Sequence, residues 1–448
     1  MTRGFRTRSL HAGTDPDPTT GARATPVHKT TSFVFDSAET AAELYALERE
    51  GDIYSRVSNP TVRALERRLT ALEGGVGSVA TGSGMAALDT LTTVLASAGD
   101  NIVASAQMYG GTSTYLDTIA TRRGIEPRTV GTLEYEAYAD AIDENTAYVH
   151  VETVANPSLI TPDFERIAEI AHDRAVPVVV DNTFATPALC QPLKHGADII
   201  WESTTKWIHG AGTTVGGAVI NGGTFPWDHP DADYPELSGP NPAFGVDFTE
   251  EFGELALLRA LRHRGVRAIG NGQSPSDAWQ TLQGIETLPL RMDRHCENAR
   301  TVAEFLADHP AVAWVRYPGF EDHRTHDNAS EYLSGYGGMI TFGLDGGYQA
   351  AAELCERVEL TSFLANVGDA KSLIIHPAST THATLSETAL KEAGVKPDML
   401  RLSVGIESPA DIVADLGQAL PANTGAQTES SGEGVPNHSR DAADETGD

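Results

Sequence analysis

The sequence predicts an α/β protein: a large domain built on a mostly parallel sheet, followed by a smaller C-terminal α/β domain. From Pro60 to about Ile220, short β-branched runs alternate with apolar-periodic segments of helical length, the pattern of repeated βαβ units. After a helical stretch from about 251 to 309, the alternation resumes and runs to about 420. The length of 448 residues also exceeds what one ordinary core organises.

In chain order, residues 1–60 are polar and punctuated by Gly and Pro, and read as an extended arm. Residues 61–260 form the large domain. TVRALERRLTALEG has helical spacing and stops at Gly74-Gly75, and GSVATGSGMAALDTLTTVLASAGDNIVAS reads as strand, glycine turn, apolar helix and strand. Residues 221–250, dense in Pro, Gly and Asp, read as a surface insertion. Residues 261–420 hold a linking helix and the smaller domain, whose strands include Ala311–Tyr317 and Gly338–Leu344. The last 28 residues, 421–448, are acidic, have almost no apolar content and should be disordered.

Composition excludes several classes. With 32 basic against 62 acidic residues the chain carries −30 and would repel nucleic acid and anionic membranes. Scarce lysine and dispersed acids suit a surface adapted to high salt, where screening removes the self-repulsion. No apolar run of membrane-spanning length occurs, and the N-terminus lacks a secretory apolar middle, so a cytoplasmic protein is expected. Cys190, Cys296 and Cys355 are far apart, form neither a metal-ligand set nor a disulfide framework, and read as small buried hydrophobes. No metal is expected.

The chemistry concentrates in VPVVVDNTFATPALCQPLKHGADIIWESTTKW, which begins at Val176. The run Val178–Val180 ends in Asp181, and a second apolar run through Ile199-Ile200 leads to Ser203, Thr204, Thr205 and Lys206. Parallel sheets bind ligands beyond the carboxyl ends of their strands, so two such ends gather an acid, hydroxyls and a lysine at one crevice. That set suits pyridoxal 5'-phosphate: an amine for a Schiff base, an acid for the ring nitrogen, hydroxyls for the phosphate. Of the six lysines, Lys194, Lys391 and Lys396 read as solvated surface, and only Lys206 sits between hydroxyls and the glycine-rich HGAGTTVGG. An ordinary sheet-edge lysine would give the same local pattern. TGSGMAA (81–87) places glycines at a strand-to-helix turn, where free N–H groups and the helix dipole favour a phosphate. Tyr109, in MYGGT beyond the strand Asn101–Ser105, could stack on a flat ring or simply pack.

GDIYSRVSNPT (51–61), TGSGMAA, MYGGT, VETVANP (151–157), VVDNTFATP (179–187), STTKW (203–207), IIHPASTTH (374–382) and RLSVGIE (401–407) occur in the order found in the Cys/Met-metabolism family of pyridoxal-phosphate enzymes. The chain resembles that family over roughly residues 5–420. The resemblance implies the fold type I architecture of PLP-dependent transferases. The insertion, the segment LQGIETLPLRMDRHCENA and NVGDAKSLIIHPASTTH resemble the branch that makes homocysteine from O-acetylhomoserine and sulfide in methionine biosynthesis. Cystathionine γ-synthase and methionine or cystathionine γ-lyase are the alternative chemistries on the same fold, and a non-catalytic acidic scaffold is the alternative of another class. Two departures weigh against the lyases: Gly110 rather than cysteine follows Tyr109, and Lys371 rather than glutamate precedes Ser372-Leu373.

On matching positions the resemblance implies that Lys206 carries the cofactor, Asp181 pairs with its ring nitrogen, Tyr109 stacks on the ring and Asn156 meets the ring hydroxyl. Gly84, Met85, Ser203 and Thr205 would hold the phosphate, and Tyr54 and Arg56 would reach it from a neighbouring subunit. Lys206 would move the protons, with Tyr109 or Tyr54 as possible assistants, and Arg401, helped by Ser372, would grip the substrate carboxylate. The implied assembly is a homo-oligomer, a tetramer made as a dimer of dimers, whose only other partners are the small substrates.

Overall fold

The computed structural model describes residues 3–240, 245–381, 383, 390 and 394–421. The segment from 422 expected to be disordered, His382 of the seventh motif and Lys391 lie outside those residues.

The large sheet has seven strands: β1 (Gly77–Thr81), β2 (Asn101–Ser105), β3 (Glu126–Val130), β4 (Thr146–Glu152), β5 (Val178–Asp181), β6 (Ile199–Glu202) and β7 (Gly217–Asn221). Their order is β1-β7-β6-β5-β4-β2-β3, and only the pairings of β7 are antiparallel. Both faces are covered, which is why the strands read as unbroken apolar runs. Val178 and Val180 pack into one core cluster and Val179 into the cluster on the other face.

Local signals set the elements. The helix Pro60–Glu73 is capped by Asn59, whose side chain accepts from Thr61 N, opens on Pro60 and stops at Gly74, held at φ 85°. The helix Gly84–Leu95 begins where Ser83 accepts from Ala86 N.

Two expectations are corrected. The N-terminal arm is not extended throughout: Phe5–His11 and Ala38–Tyr45 are helices. The first is pinned because buried Arg68 donates to the Ser9 and Ala12 carbonyls and to Thr14 Oγ1. The 221–250 insertion is not a surface loop: Phe225, Trp227, Tyr234 and Leu237 are buried in the main core. The rings of Phe225 and Trp227 lie 4.7 Å apart, those of Trp227 and Tyr234 5.0 Å apart, and Tyr234 Oη donates to Ala147 O at 3.0 Å. Pro and Gly shape the turns there, but the aromatics anchor them.

The second sheet contains β8 (Val312–Arg316), β9 (Met339–Leu344), β10 (Ser362–Phe363), β11 (Leu373–Ile375) and β12 (Met399–Ser403), in the order β10-β11-β12-β9-β8. Apart from the β10–β11 pair it is antiparallel, which alternation of strands and helices alone did not indicate. A single helix, Pro275–Asp308, joins the two sheets.

Candidate active site

Three neighbouring strands of the large sheet end in carboxyls. Glu152 closes β4, Asp181 closes β5 and Glu202 closes β6, with Glu152 in register with Asp181 and Asp181 with Trp201. All three are buried, and no Arg, Lys or His among the described residues forms an ion pair with any of them. Burial pushes Asp181 up to about 6, against the pull of Thr183, whose N–H donates to Asp181 Oδ1 at 2.9 Å. Glu152 is raised well above the ordinary range by burial and then by Asp181, and Glu202 by burial and then by Glu73. Glu73, behind them, is pushed up to about 8 by burial and accepts from Asn182 Nδ2 at 2.8 Å. Such a set of unpaired acids calls for a cation in front of it.

Lys206 follows β6 in a tight turn, and its Nζ donates to Asn366 Oδ1 at 2.6 Å. Burial, and after it the charge of Arg401, bring its amine down to about 8. The turn is fastened from behind: buried Arg291 donates to Trp207 O at 2.6 Å and Ile208 O at 2.9 Å. Gly210, at φ 73°, leaves the room, since a Cβ there would lie 2.0 Å from the guanidinium.

Arg401, on β12, is buried and donates to Asn156 Oδ1 at 3.0 Å, while its Nε has no partner among the described residues. Asn156 N in turn donates to Glu152 Oε2 at 2.9 Å, and Tyr109 N to Glu152 Oε1 at 2.5 Å. One carboxylate thus ties the segments carrying Tyr109 and Asn156 together. Ser372 is fully buried; its hydroxyl donates to Glu407 Oε2 at 3.0 Å and accepts from Gly405 N at 2.9 Å. Its side chain therefore braces the segment after Arg401 instead of facing the crevice, and the expected help at the carboxylate is not placed there.

The helix Pro275–Asp308 grips both halves. Arg291 holds the carbonyls after Lys206, His295 Nδ1 meets Val404 O at 2.7 Å, and Asn298 Nδ2 donates to Gly405 O at 3.0 Å and Glu407 O at 2.8 Å. All three lie within about two turns of one helix.

At the phosphate end, Gly84 packs on Ser203, so closely that a Cβ would meet the serine Cβ at 2.7 Å. Gly84 and Met85 open the helix, and no helical carbonyl reaches their N–H groups. Ser203 N donates to Thr183 Oγ1 at 2.9 Å, linking this end to Asp181. The Thr205 hydroxyl, by contrast, exchanges hydrogen bonds with Gly216 O and N at 3.1 and 3.0 Å, so it is spent within the chain. Tyr109 is 44% exposed beside the crevice. Tyr54 and Arg56 are not brought to it: Arg56 donates to Arg267 O and stacks over Tyr54, with its Cζ 5.5 Å from the ring centroid.

Sequence reasoning missed Glu152, Glu202, Glu73 and Asn366. The first two occupy the position of Asp181 on adjacent strands, a signal that was available; Asn366 comes from a loop whose docking is purely tertiary.

The geometry fits pyridoxal phosphate. A cationic ring nitrogen would meet Asp181, which has no ion pair among the described residues, a phosphate would meet the free N–H groups of Gly84 and Met85, and the Lys206 amine lies within reach of the charge of Arg401. Comparison with known proteins agrees. The model of the family described as Cys/Met metabolism PLP-dependent enzyme matches residues 6–421. The O-acetyl-L-homoserine sulfhydrylase 1 of Thermus thermophilus is 47% identical, covering 93% of this chain and 99% of its own. The homocysteine synthase of Schizosaccharomyces pombe is 46% identical, covering 93% and 98%. A Campylobacter jejuni crystal structure, named for O-acetylhomoserine (thiol)-lyase and holding N'-pyridoxyl-lysine-5'-monophosphate, superimposes with a TM-score of 0.90 at 36% identity, covering 93% of this chain and all of that one.

Proposed function

The chain belongs to the Cys/Met metabolism PLP-dependent enzymes, and from that premise we propose that it converts O-acetyl-L-homoserine and sulfide to L-homocysteine and acetate. The observation that carries the reading is the run of contacts that links three residues: Arg401 bears on Lys206 and donates to Asn156, Asn156 N donates to Glu152, and Glu152 pairs in register with Asp181. The substrate class comes from the relatives that are near half identical over almost their whole length.

Arg401 takes the substrate's α-carboxylate with the guanidinium edge whose Nε has no partner among the described residues. When bound, pyridoxal phosphate supplies the electron sink that makes the protons on the substrate's α- and then β-carbon removable. Asp181 holds the ring nitrogen cationic, a pairing that also favours its own ionised form. Gly84, Met85 and the Ser203 hydroxyl hold the phosphate, and Tyr109 covers the ring. Lys206, with its amine near 8, exists in both protonation states close to neutral pH. It takes the α-proton and a β-proton, holds the charge balance while acetate leaves the γ-carbon and hydrosulfide takes its place, and returns the protons.

Tyr54 and Arg56 complete the phosphate site of a neighbouring copy, so the active unit is at least a dimer and, paired again, a homotetramer. Exposed Val34 and Tyr45 on the same arm support that reading. We assign the chain to the cytoplasm and read its charge of −30 as salt adaptation; no helix of the described residues is long and apolar enough to cross a membrane.

Steady-state assays with O-acetyl- and O-succinyl-homoserine, each alone, with sulfide and with cysteine, test the reading. Homocysteine and acetate should form only with the acetyl ester and sulfide together. Comparable release of a 2-oxo acid without sulfide would establish a γ-lyase instead, and cystathionine formed in preference with cysteine would establish the synthase.

A further inference from the structure

The segment Leu364–Ser372 brings Asn366 to the amine of Lys206, and four features hold it there. Gly368 sits at φ 78°, so close that a Cβ would meet Trp207 N at 2.6 Å. Gly368 N donates to Ser403 Oγ at 2.9 Å, Ala370 N to Gly210 O at 2.8 Å, and Asn366 N to Leu364 O at 3.2 Å. The segment is therefore anchored both to the residues after Lys206 and to the strand that carries Arg401. Its own charges, Asp369 and Lys371, face one another at 3.6 Å. The remaining charge that bears on Lys206 is Arg401, from β12. No carboxylate forms an ion pair with Lys206 among the described residues; its one hydrogen-bond acceptor is the neutral amide oxygen of Asn366.

We propose that Asn366 is a positioning residue for Lys206: its side-chain oxygen holds the free amine in place and sets how readily that amine carries a proton. The inference rests on Lys206 being the amine that moves protons. A neutral acceptor is suited to that task. It favours the ammonium over the amine by the strength of one charge-assisted hydrogen bond, offsetting part of the opposing effect of burial and Arg401. A carboxylate in its place would lock the lysine protonated, and an apolar residue would leave the amine rotating and mostly neutral.

Competitive acetylation of the full-length chain freed of cofactor, read by mass spectrometry at Lys206 with exposed Lys194 and Lys396 as internal references, tests this from about pH 6 to about pH 11. Wild type should label Lys206 with a midpoint near 8. N366A should lower the midpoint by about one unit, labelling about fivefold faster at pH 7, and N366D should raise it by about one unit, labelling about tenfold slower. The pH profile of kcat/KM in the loaded enzyme should move in the same two directions. Unchanged midpoints in both variants would overturn the proposal. So would a shift in N366A without the opposite shift in N366D, because a merely structural role gives no reason for opposite signs. N366D preserves the side chain's shape and reports even where N366A does not fold. Wild-type Lys206 labelling indistinguishably from Lys194 would instead sink the parent assignment of Lys206.

Discussion

The crevice and the N-terminal arm are built on opposite terms. Around the crevice nearly every backbone and side-chain group is already matched within the chain: Glu152 binds two N–H groups, Arg291 two carbonyls, and Ser372 and Glu407 each other. Among the described residues Asp181 and Glu202 take no ion pair and Arg401 Nε no hydrogen bond, and a cofactor would meet Asp181 and a carboxylate Arg401 Nε. On the arm, Val34 is 98% exposed, Tyr45 55% and Tyr54 42%, and Arg56 lies at the surface over a tyrosine. A region that leaves large apolar groups in water is finished by another surface. The crevice leaves groups for small molecules, and the assembly proposed above would give the arm's exposed side chains a second copy of the chain to pack on.

The harshest way to break this contrast is Lys206→Ala. Turnover should fall below detection, by more than about a thousandfold, and the visible absorbance of the bound cofactor should vanish, while the far-ultraviolet dichroism stays unchanged. Residual turnover near wild type would move the chemistry to another lysine. Next comes Asp181→Ala, which should slow exchange of the substrate's α-hydrogen with deuterated water by on the order of a hundredfold, because the buried acid facing the ring is gone. Exchange at the wild-type rate would remove Asp181 from the site.

Arg56→Ala sharpens the arm's side of the comparison. Cofactor retention should weaken by on the order of ten- to a hundredfold, the range of a charge-assisted hydrogen bond. Mixed with inactive Lys206→Ala after reversible dissociation, it should recover activity, since one site of each hybrid dimer would be free of both defects. Hybrids verified by mass yet inactive would confine Arg56 to its own chain. The smallest effect concerns the floor of the crevice. Glu73 binds its proton up to about 8 in the folded chain but near 4.5 when unfolded. Between those values the folded state holds a proton that the unfolded state lacks, so its contribution to stability is lost as pH rises. Glu73→Gln should therefore melt about 2–4 °C above wild type at pH 8, with the gap closing toward pH 5. A gap that is constant with pH would mean the carboxyl is not titrating.

The parallel sheet and the positions of Lys206 and Asp181 were legible because a buried strand declares itself by its run of Val and Ile, and such strands have one functional end. The strand-to-helix turn that opens on Gly84 was legible from its glycines. Two kinds of information were hidden. Whether a hydroxyl faces a ligand or its own backbone depends on neighbours far along the chain, and so Thr205 and Ser372 looked the same as Ser203. Phe225, Trp227, Tyr234 and Leu237 stand singly among Pro, Gly and Asp with no sustained strand or helix period, so their burial in the main core is set by tertiary packing that periodicity does not reveal. The helices of the arm were hidden for the opposite reason: Phe5–His11 is too short to hold alone and forms because Arg68 donates to the Ser9 carbonyl and to that of Ala12 just past its end.

The helix Pro275–Asp308 acts as a ruler. Its residues 291, 295 and 298 touch the carbonyls beyond Lys206 and those beyond Arg401, so one helix fixes the segments that carry the amine and the guanidinium relative to each other. The span from α-carboxylate to α-carbon is common to every amino acid, and a fixed gauge serves all of them. Nothing in that gauge measures the far end of the substrate. A change at the side-chain end of the substrate would therefore leave these hydrogen bonds, which reach the residues beyond Lys206 and Arg401, untouched.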